Sequence, residues 1–235
     1  MVGFAVACAR SHATALLDLL WPPVCPRCGG RAAVPREIFC ESCWSSLSPV
    51  RGDAGRGVHA AFSVNALFIE MLAFSKYRRY RRVGLRLARE AAALVSPLPG
   101  AVLVPVPLTK TRHRERGFNQ AADFARVLGD RTGLRVEERW LRRVRGGTPL
   151  AGRPREERAA AIRGAFEAGA AFPGADAPPL FVVDDVVTTG STRRACQRAL
   201  EAAGGRVVAC VAMGRAFDSR RDASGGTGAG LPGQF

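Results

Sequence analysis

The stretch Leu180–Thr192, which reads LFVVDDVVTTGST, constrains the fold of this chain more tightly than any other part of its sequence. Its apolar beginning is rich in β-branched residues, which predicts a strand over Leu180–Val183 that is buried on both faces. The pair Asp184 and Asp185 comes where this strand is expected to end. A helix is predicted from Arg193 to Ala203. A strand buried on both faces that leads into a helix is typical of an α/β fold.

The turn between the predicted strand and helix contains only hydroxyl-bearing residues and glycine. Backbone N–H groups at a helix start attract anions, hydroxyls add donors, and a glycine lets the backbone come close to a ligand. We expect the turn to bind a phosphate through Thr188, Thr189, Gly190, Ser191 and Thr192. The neighbouring carboxylates are expected to accept hydrogen bonds from ribose hydroxyls. A buried strand, a capped helix and two exposed aspartates are the alternative, which leaves the run of hydroxyls unexplained.

Two C-x-x-C pairs lie near the N-terminus, separated by eleven residues. This spacing is typical of a tetrahedral zinc site, and the predicted ligands are Cys25, Cys28, Cys40 and Cys43. Four thiolates leave no open coordination position, so the zinc is predicted to be structural. A disulfide pair or a redox C-x-x-C is the alternative. The remaining cysteines, Cys8, Cys196 and Cys210, are expected in the core.

The organisation predicted from composition has three parts. Residues 1–55 form an N-terminal helix (Thr14–Leu20) and the zinc module, residues 56–215 form the α/β domain, and residues 216–235 form a disordered tail rich in glycine and serine. Ser48–Gly57 is predicted to be the linker. The apolar N-terminus lacks a basic region and is interrupted by charged residues, so neither an export signal nor membrane insertion is expected. We predict a cytoplasmic protein.

The net charge is +15, and almost all of the basic residues are arginines. Such a surface attracts polyanions, which makes single-stranded DNA a candidate partner, although a bias in genome composition also explains part of the charge. The stretch Phe74–Arg82 combines basic residues with two tyrosines on which bases can stack. A solvated, basic helix end is an equally good interpretation of this stretch.

Two further basic segments are predicted to be loops. Leu108–Gln120 follows a predicted buried strand, Ala101–Val106, and a loop there lies at the carboxyl edge of the sheet, where ligands bind. Glu137–Phe166 contains glycines, prolines and many arginines, and is predicted to be a mobile lid or a disordered surface segment. The other predicted strands are Ala60–Val64 and Arg206–Met213, the predicted helices are Ala66–Phe74, Val83–Val95 and Ala121–Leu128, and Ala168–Pro179 is predicted to be a connector.

The acidic-hydroxyl stretch closely resembles the phosphoribosyl-pyrophosphate (PRPP) motif of type I phosphoribosyltransferases. Together with the cysteine pairs, the VPVP strand, R-x-R-G-F-N-Q and a lid that ends in G-A-F, it resembles the ComF family. These bacterial proteins are linked to competence and DNA uptake, and GntX-type members have a similar arrangement. The resemblance implies a type I phosphoribosyltransferase-like α/β fold, with an open, mostly parallel sheet and helices on both of its faces, beside a small N-terminal four-cysteine zinc module. It also implies that the fold binds PRPP or ribose 5-phosphate together with Mg²⁺.

The resemblance also implies roles for individual residues. Pyrophosphate would be bound by Arg112, Arg114 and Arg116, and the catalytic residues would be Asp184, Asp185 and the lid residue Arg143. The chain departs from the family pattern at Leu150 and Ala161, where Gln and Asn are usual. Both positions are in the lid and therefore bear on catalysis rather than on PRPP binding.

Two functions follow from this reading. One is a phosphoribosyltransferase whose acceptor the sequence does not identify. The other is a non-catalytic adaptor that senses PRPP or phosphate, binds single-stranded DNA and works with DNA-uptake or helicase proteins. A transcriptional regulator is a weaker third interpretation, because the sequence has no helix-turn-helix pattern.

Overall fold

The structure is a computed structural model that describes residues 24–32, 38–50, 57–77, 80–96, 98–144 and 164–217. A five-stranded sheet forms its centre, and the strands are β1 (Val58–Ser63), β2 (Val102–Pro105), β3 (Arg135–Val136), β6 (Leu180–Val187) and β7 (Val207–Arg215). Their order in the sheet is β1-β7-β6-β2-β3, and every neighbouring pair of strands is parallel. The predicted α/β class with a parallel sheet is confirmed.

Helices cover both faces of this sheet. The described helices are α1 (Glu41–Ser45), α2 (Ala66–Ser75), α3 (Arg81–Leu94), α4 (Lys110–Arg116), α5 (Gln120–Thr132) and α6 (Ser191–Ala202). Helices α2, α3 and α5 share one core with the sheet, which includes Phe124, Val183 and Met213. Helix α6 packs on the opposite face, where Cys196 and Leu200 meet Val182. Alternate strand residues therefore face two separate cores, as expected for a sheet buried on both sides.

The structure describes both ends of the predicted lid. Its two ends form an antiparallel pair of short strands, β4 (Leu141–Arg143) and β5 (Phe166–Ala168), in which Arg143 lies opposite Phe166. Residues 145–163, which include Leu150 and Ala161, lie outside the described part of the chain. The expectation of a loop over all of Glu137–Phe166 is therefore wrong at its ends, because each end pairs with the other.

The cysteine-containing segment packs directly on the sheet domain. Phe39 contacts Trp44 of α1 and Phe74 of α2 through edge-to-face ring pairs, with centroids 6.3 and 5.3 Å apart. The predicted linker is paired at its start, since Val50 donates a backbone hydrogen bond to Ala61 of β1. The predicted boundary at residue 55 lies within 51–56, which is outside the described ranges.

The remaining predictions concern three cysteines, the N-terminal helix, the connector and the tail. Cys196 and Cys210 are buried, as expected, whereas Cys8, the helix Thr14–Leu20 and residues 218–235 are not described. The predicted connector holds a 3-10 turn, Gly174–Asp176. In the part of the chain that the structure covers, no helix has the length and apolarity needed to cross a membrane.

Candidate functional site

The two aspartates lie inside strand β6 rather than at its end. The strand continues to Val187 because its neighbour β7 continues alongside it, with Asp184 opposite Ala212 and Val187 opposite Arg215. The expectation that the strand ends at Val183 is therefore wrong by four residues. The longer strand carries both carboxylates on rigid backbone up to the carboxyl edge of the sheet, where open α/β sheets bind ligands.

The two carboxylates have different surroundings. Asp184 is only 9% exposed and its Oδ1 accepts a hydrogen bond from the backbone N–H of Asp185 at 2.9 Å, while Asp185 accepts one from Val186 at 2.8 Å. Burial raises the pKa of Asp184 well above its usual value, and the negative charge of Asp185 raises it further, against the opposing effect of Arg143. A buried carboxyl whose pKa is raised in this way is suited to hydrogen bonding with a ligand hydroxyl.

The hydroxyl-rich turn leads into helix α6 as predicted. Gly190 is the N-cap with φ 71°, a left-handed conformation that favours glycine, and it supplies no side-chain cap to the first turn. Thr188 and Thr192 line a pocket together with both aspartates. Thr189 and Gly190 instead line an adjacent small depression, and the Thr189 hydroxyl is 2.9 Å from that of Ser191.

The basic segment after β2 is a helix, α4, and not the predicted loop. Thr109 caps its start by accepting from the Arg112 backbone N–H at 3.2 Å, and Gly117 ends it with φ 74°. Arg112 and Arg116 are four residues apart, share one helix face and both line the pocket. Arg114 is exposed and does not line it, since residues two apart point to different sides. The prediction for Arg114 is therefore not supported by its position.

Arg143 reaches the same pocket from strand β4. Its guanidinium stacks on the Phe166 ring at 5.2 Å, which holds it over the carboxyl edge. Burial and the charge of Arg112 lower the pKa of Arg143 from its ordinary value, while Asp184 opposes this shift. The base of the lid thus supplies a cation beside the acidic pair.

These elements enclose a pocket of about 420 Å³. It joins residues from α2, α4, α5, β4, β6 and α6, and from the segment that follows β2, which are far apart in sequence. Among the predicted residues, the ones that line it are Arg112, Arg116, Arg143, Asp184, Asp185, Thr188 and Thr192.

The sequence did not identify two groups in this pocket. The first group is the pair Asn119 and Gln120, which follow α4. The Asn119 amide donates to the Val106 carbonyl at 2.9 Å, and Gln120 Oε1 accepts from Arg116 at 2.9 Å. These contacts fix the start of α5 against the end of β2 and orient Arg116. The second group is an apolar wall from helix α2, for which the largely apolar sequence of that helix is the signal.

The four predicted zinc ligands come together in the structure. Their sulfur atoms all lie within 4.8 Å of one another. The Cys25 and Cys43 sulfurs are 3.7 Å apart and those of Cys28 and Cys40 are 3.4 Å apart. A tetrahedral site with Zn–S bonds of about 2.3 Å requires sulfurs about 3.8 Å apart, so the set fits zinc. Neither of these two pairs is a disulfide, whose sulfurs are about 2 Å apart, and all four cysteines are free in the structure.

The surroundings of Cys25 also suit a metal ligand. Its burial raises the thiol pKa, but backbone N–H groups of Cys40, Cys28 and Arg27 outweigh that effect and lower the pKa to about 6. Thiolates are the form that binds zinc. The turn that contains the first C-x-x-C pair is closed by the Cys25 backbone N–H, which donates to the Gly30 carbonyl at 2.8 Å.

Comparison with known proteins agrees with this architecture. Residues 16–55 match the double zinc ribbon domain, which supports structural zinc at the four cysteines. The chain is 30% identical over 179 residues to the DNA utilization protein YhgH of Salmonella typhi, covering 72% of this chain and 74% of that protein. The chain belongs to the ComF/GntX family. The YhgH protein of Salmonella typhimurium is 28% identical over 176 residues, with the same coverage.

A solved structure was also matched. TT1426 from Thermus thermophilus is 18% identical, and the match covers 61% of this chain and 85% of that protein with a TM-score of 0.31. A TM-score this low supports no conclusion about this ComF/GntX-family chain.

Proposed function

We propose that this protein binds PRPP, together with Mg²⁺, in the pocket at the carboxyl edge of the sheet, and that it acts as a phosphoribosyltransferase in DNA utilization. The observation that carries the proposal is the convergence of an acidic pair, two threonines at the start of α6 and three arginines in one pocket. The helix start and hydroxyls suit the 5-phosphate, and the acidic pair suits the ribose hydroxyls. Arg112, Arg116 and Arg143 suit the pyrophosphate.

The reaction would be a displacement at the anomeric carbon of the ribose. A lone pair of the acceptor forms a bond to this carbon, the bond to pyrophosphate breaks, and pyrophosphate leaves with the electron pair while the acceptor releases a proton to solvent. Positive charge develops on the sugar, beside the acidic pair, and negative charge on the leaving group, beside the arginines. Mg²⁺ belongs to the substrate complex, and its hard-oxygen preference fits the carboxylates present.

Pyrophosphate release tests this function. The protein is incubated with PRPP, Mg²⁺ and candidate acceptors, and release is compared between the native chain and the Asp184→Asn, Asp185→Asn variant. We expect release that depends on acceptor and on the aspartates. Tight PRPP binding without release by any acceptor would instead favour a sensor.

The second candidate is an adaptor that senses PRPP and binds single-stranded DNA, and the relatives' name, DNA utilization protein, favours it. Tyr77 is 65% exposed next to Lys76, as a stacking platform requires. Tyr80 instead packs on Phe74, and Arg81 pairs with Asp123. Only part of the basic stretch is therefore available to DNA.

Salt dependence tests the DNA proposal. Affinity for an oligothymidine strand should fall steeply as salt rises, and Tyr77→Ala should weaken binding about tenfold, in line with the loss of one stacked base. Tyr80→Phe is the matched control and should bind like the native chain. A flat salt response would contradict DNA binding through phosphates. DNA-uptake or helicase partner proteins remain a prediction.

A further inference from the structure

One side of the pocket differs chemically from the phosphate-binding side. Helix α2 contributes Phe68, Ile69 and Leu72 to the pocket lining, and Val186 of β6 extends this apolar wall. Nearly every residue of α2 is apolar, so the helix has no polar side to turn towards water. Ile69 is 57% exposed as a consequence. An apolar side chain with this exposure in a pocket is available to a ligand.

A cation lies at the end of this wall. Lys76 follows the last turn of α2 and lines the same pocket. In the residues covered by the structure, no carboxylate forms an ion pair with Lys76, whereas Glu70 on the same helix pairs with Arg27 at 3.3 Å. Four cationic side chains and two carboxylates line the pocket, so the pocket has a net positive charge. This charge favours anions at the phosphate-binding side and at the apolar wall.

We propose that the α2 wall and Lys76 form a second ligand subsite, for a small planar aromatic or heteroaromatic acid. The flat apolar body would lie against Ile69, Leu72 and Val186, and its carboxylate would pair with Lys76. If PRPP occupies the other side, as the proposed function holds, this ligand is the acceptor. The subsite itself rests on its lining residues and can be measured without PRPP.

A pair of probes that differ only in charge tests the subsite. Nicotinate and nicotinamide have the same ring and nearly the same size, but only nicotinate is anionic. We expect nicotinate to bind the native protein in roughly the millimolar range, as suits so small a ligand, and about tenfold more tightly than nicotinamide in titrations followed by ligand-observed NMR. Lys76→Met should remove this preference, and Ile69→Asp should weaken both probes.

Matched controls are available in the same chain. Lys110 is the other lysine and does not line the pocket, so Lys110→Met should leave binding unchanged. Leu94 is 49% exposed on α3, away from the pocket, so Leu94→Asp controls for loss of an exposed apolar residue. Circular dichroism checks that each variant is folded.

The outcomes separate this proposal from the proposed function. Equal binding of the two probes, no binding of either, or no effect of Lys76→Met would overturn the subsite. Displacement of nicotinate by oligothymidine but not by other aromatic acids would also overturn it, in favour of a DNA-binding surface. Retained nicotinate binding in a protein that does not bind PRPP would support the subsite and refute the PRPP pocket.

Discussion

Loss of one zinc ligand should destabilise the whole described domain, not only the cysteine module. The module contributes Phe39, Trp44 and Leu47 to the core that also contains Phe68 and Met71 of helix α2. These three module side chains are at most 6% exposed, and burying them contributes together about 5–9 kcal/mol. Structural zinc itself contributes on the order of 10 kcal/mol. Because a domain is stable by only about 5–15 kcal/mol, the Cys25→Ser variant should lose much of its stability.

The assay combines metal content with thermal unfolding. A loss of about 5 kcal/mol should lower Tm by about 10–20 °C for a domain of this size. The native protein should hold about one equivalent of zinc and unfold in one transition, seen equally by circular dichroism and tryptophan fluorescence. Cys196→Ser is the control: it alters another buried cysteine, and it should keep the zinc. A Cys25→Ser protein that lacks zinc but keeps its Tm within about 2 °C would refute the shared core.

Two further predictions concern the pocket. Burial and Asp185 raise the pKa of Asp184 in the folded state, so the folded protein binds the carboxyl proton of Asp184 more tightly than the unfolded chain does. Protonation of Asp184 therefore stabilises the fold at low pH, and this stabilisation is lost as pH rises through the folded pKa. Asp184→Asn should therefore raise Tm by about 2–4 °C at pH 8, for a gain of about 1 kcal/mol, and have little effect near pH 4; an equal effect at both pH values would contradict the burial argument. Arg143→Ala should weaken binding of inorganic pyrophosphate at least tenfold in calorimetry, because Arg143 lines the pocket. Arg114→Ala should leave this binding unchanged, because Arg114 does not line the pocket. Equal losses of affinity in the two variants would contradict the assignment of pyrophosphate binding to the pocket-lining arginines.

The sequence predicted the strand-turn-helix of the site well because its signals are local. Buried β-branched residues, hydroxyls and a left-handed glycine all act within the stretch Leu180–Thr192 itself. The position of the aspartates within β6 was missed because it depends on pairing with Gly214 and Arg215, which are distant in sequence. Strand ends are set by neighbouring strands, and a single strand's composition does not contain that information.

The basic helix α4 shows a different limit. Its cap residues, Thr109 and Gly117, are ordinary helix signals, but the run of charges between them favoured a loop. Once the segment is a helix, its geometry separates Arg112 and Arg116 from Arg114. The cysteine cluster was predictable because two C-x-x-C pairs require a particular chemistry, whereas the packing of Phe39 on Phe74 required the three-dimensional structure.

Calorimetric titration of PRPP with Mg²⁺ tests the central claim most directly. The native protein should bind PRPP, and the Asp184→Asn, Asp185→Asn variant should bind at least about 30-fold more weakly, because a hydrogen bond to the charged Asp185 contributes about 1.5–3 kcal/mol and one to the buried Asp184 about 0.5–1.5 kcal/mol. The control carries Asp130→Asn and Asp176→Asn, two exposed aspartates away from the pocket, and should bind like the native chain. Unchanged PRPP affinity in the Asp184, Asp185 variant would contradict the assignment of this pocket.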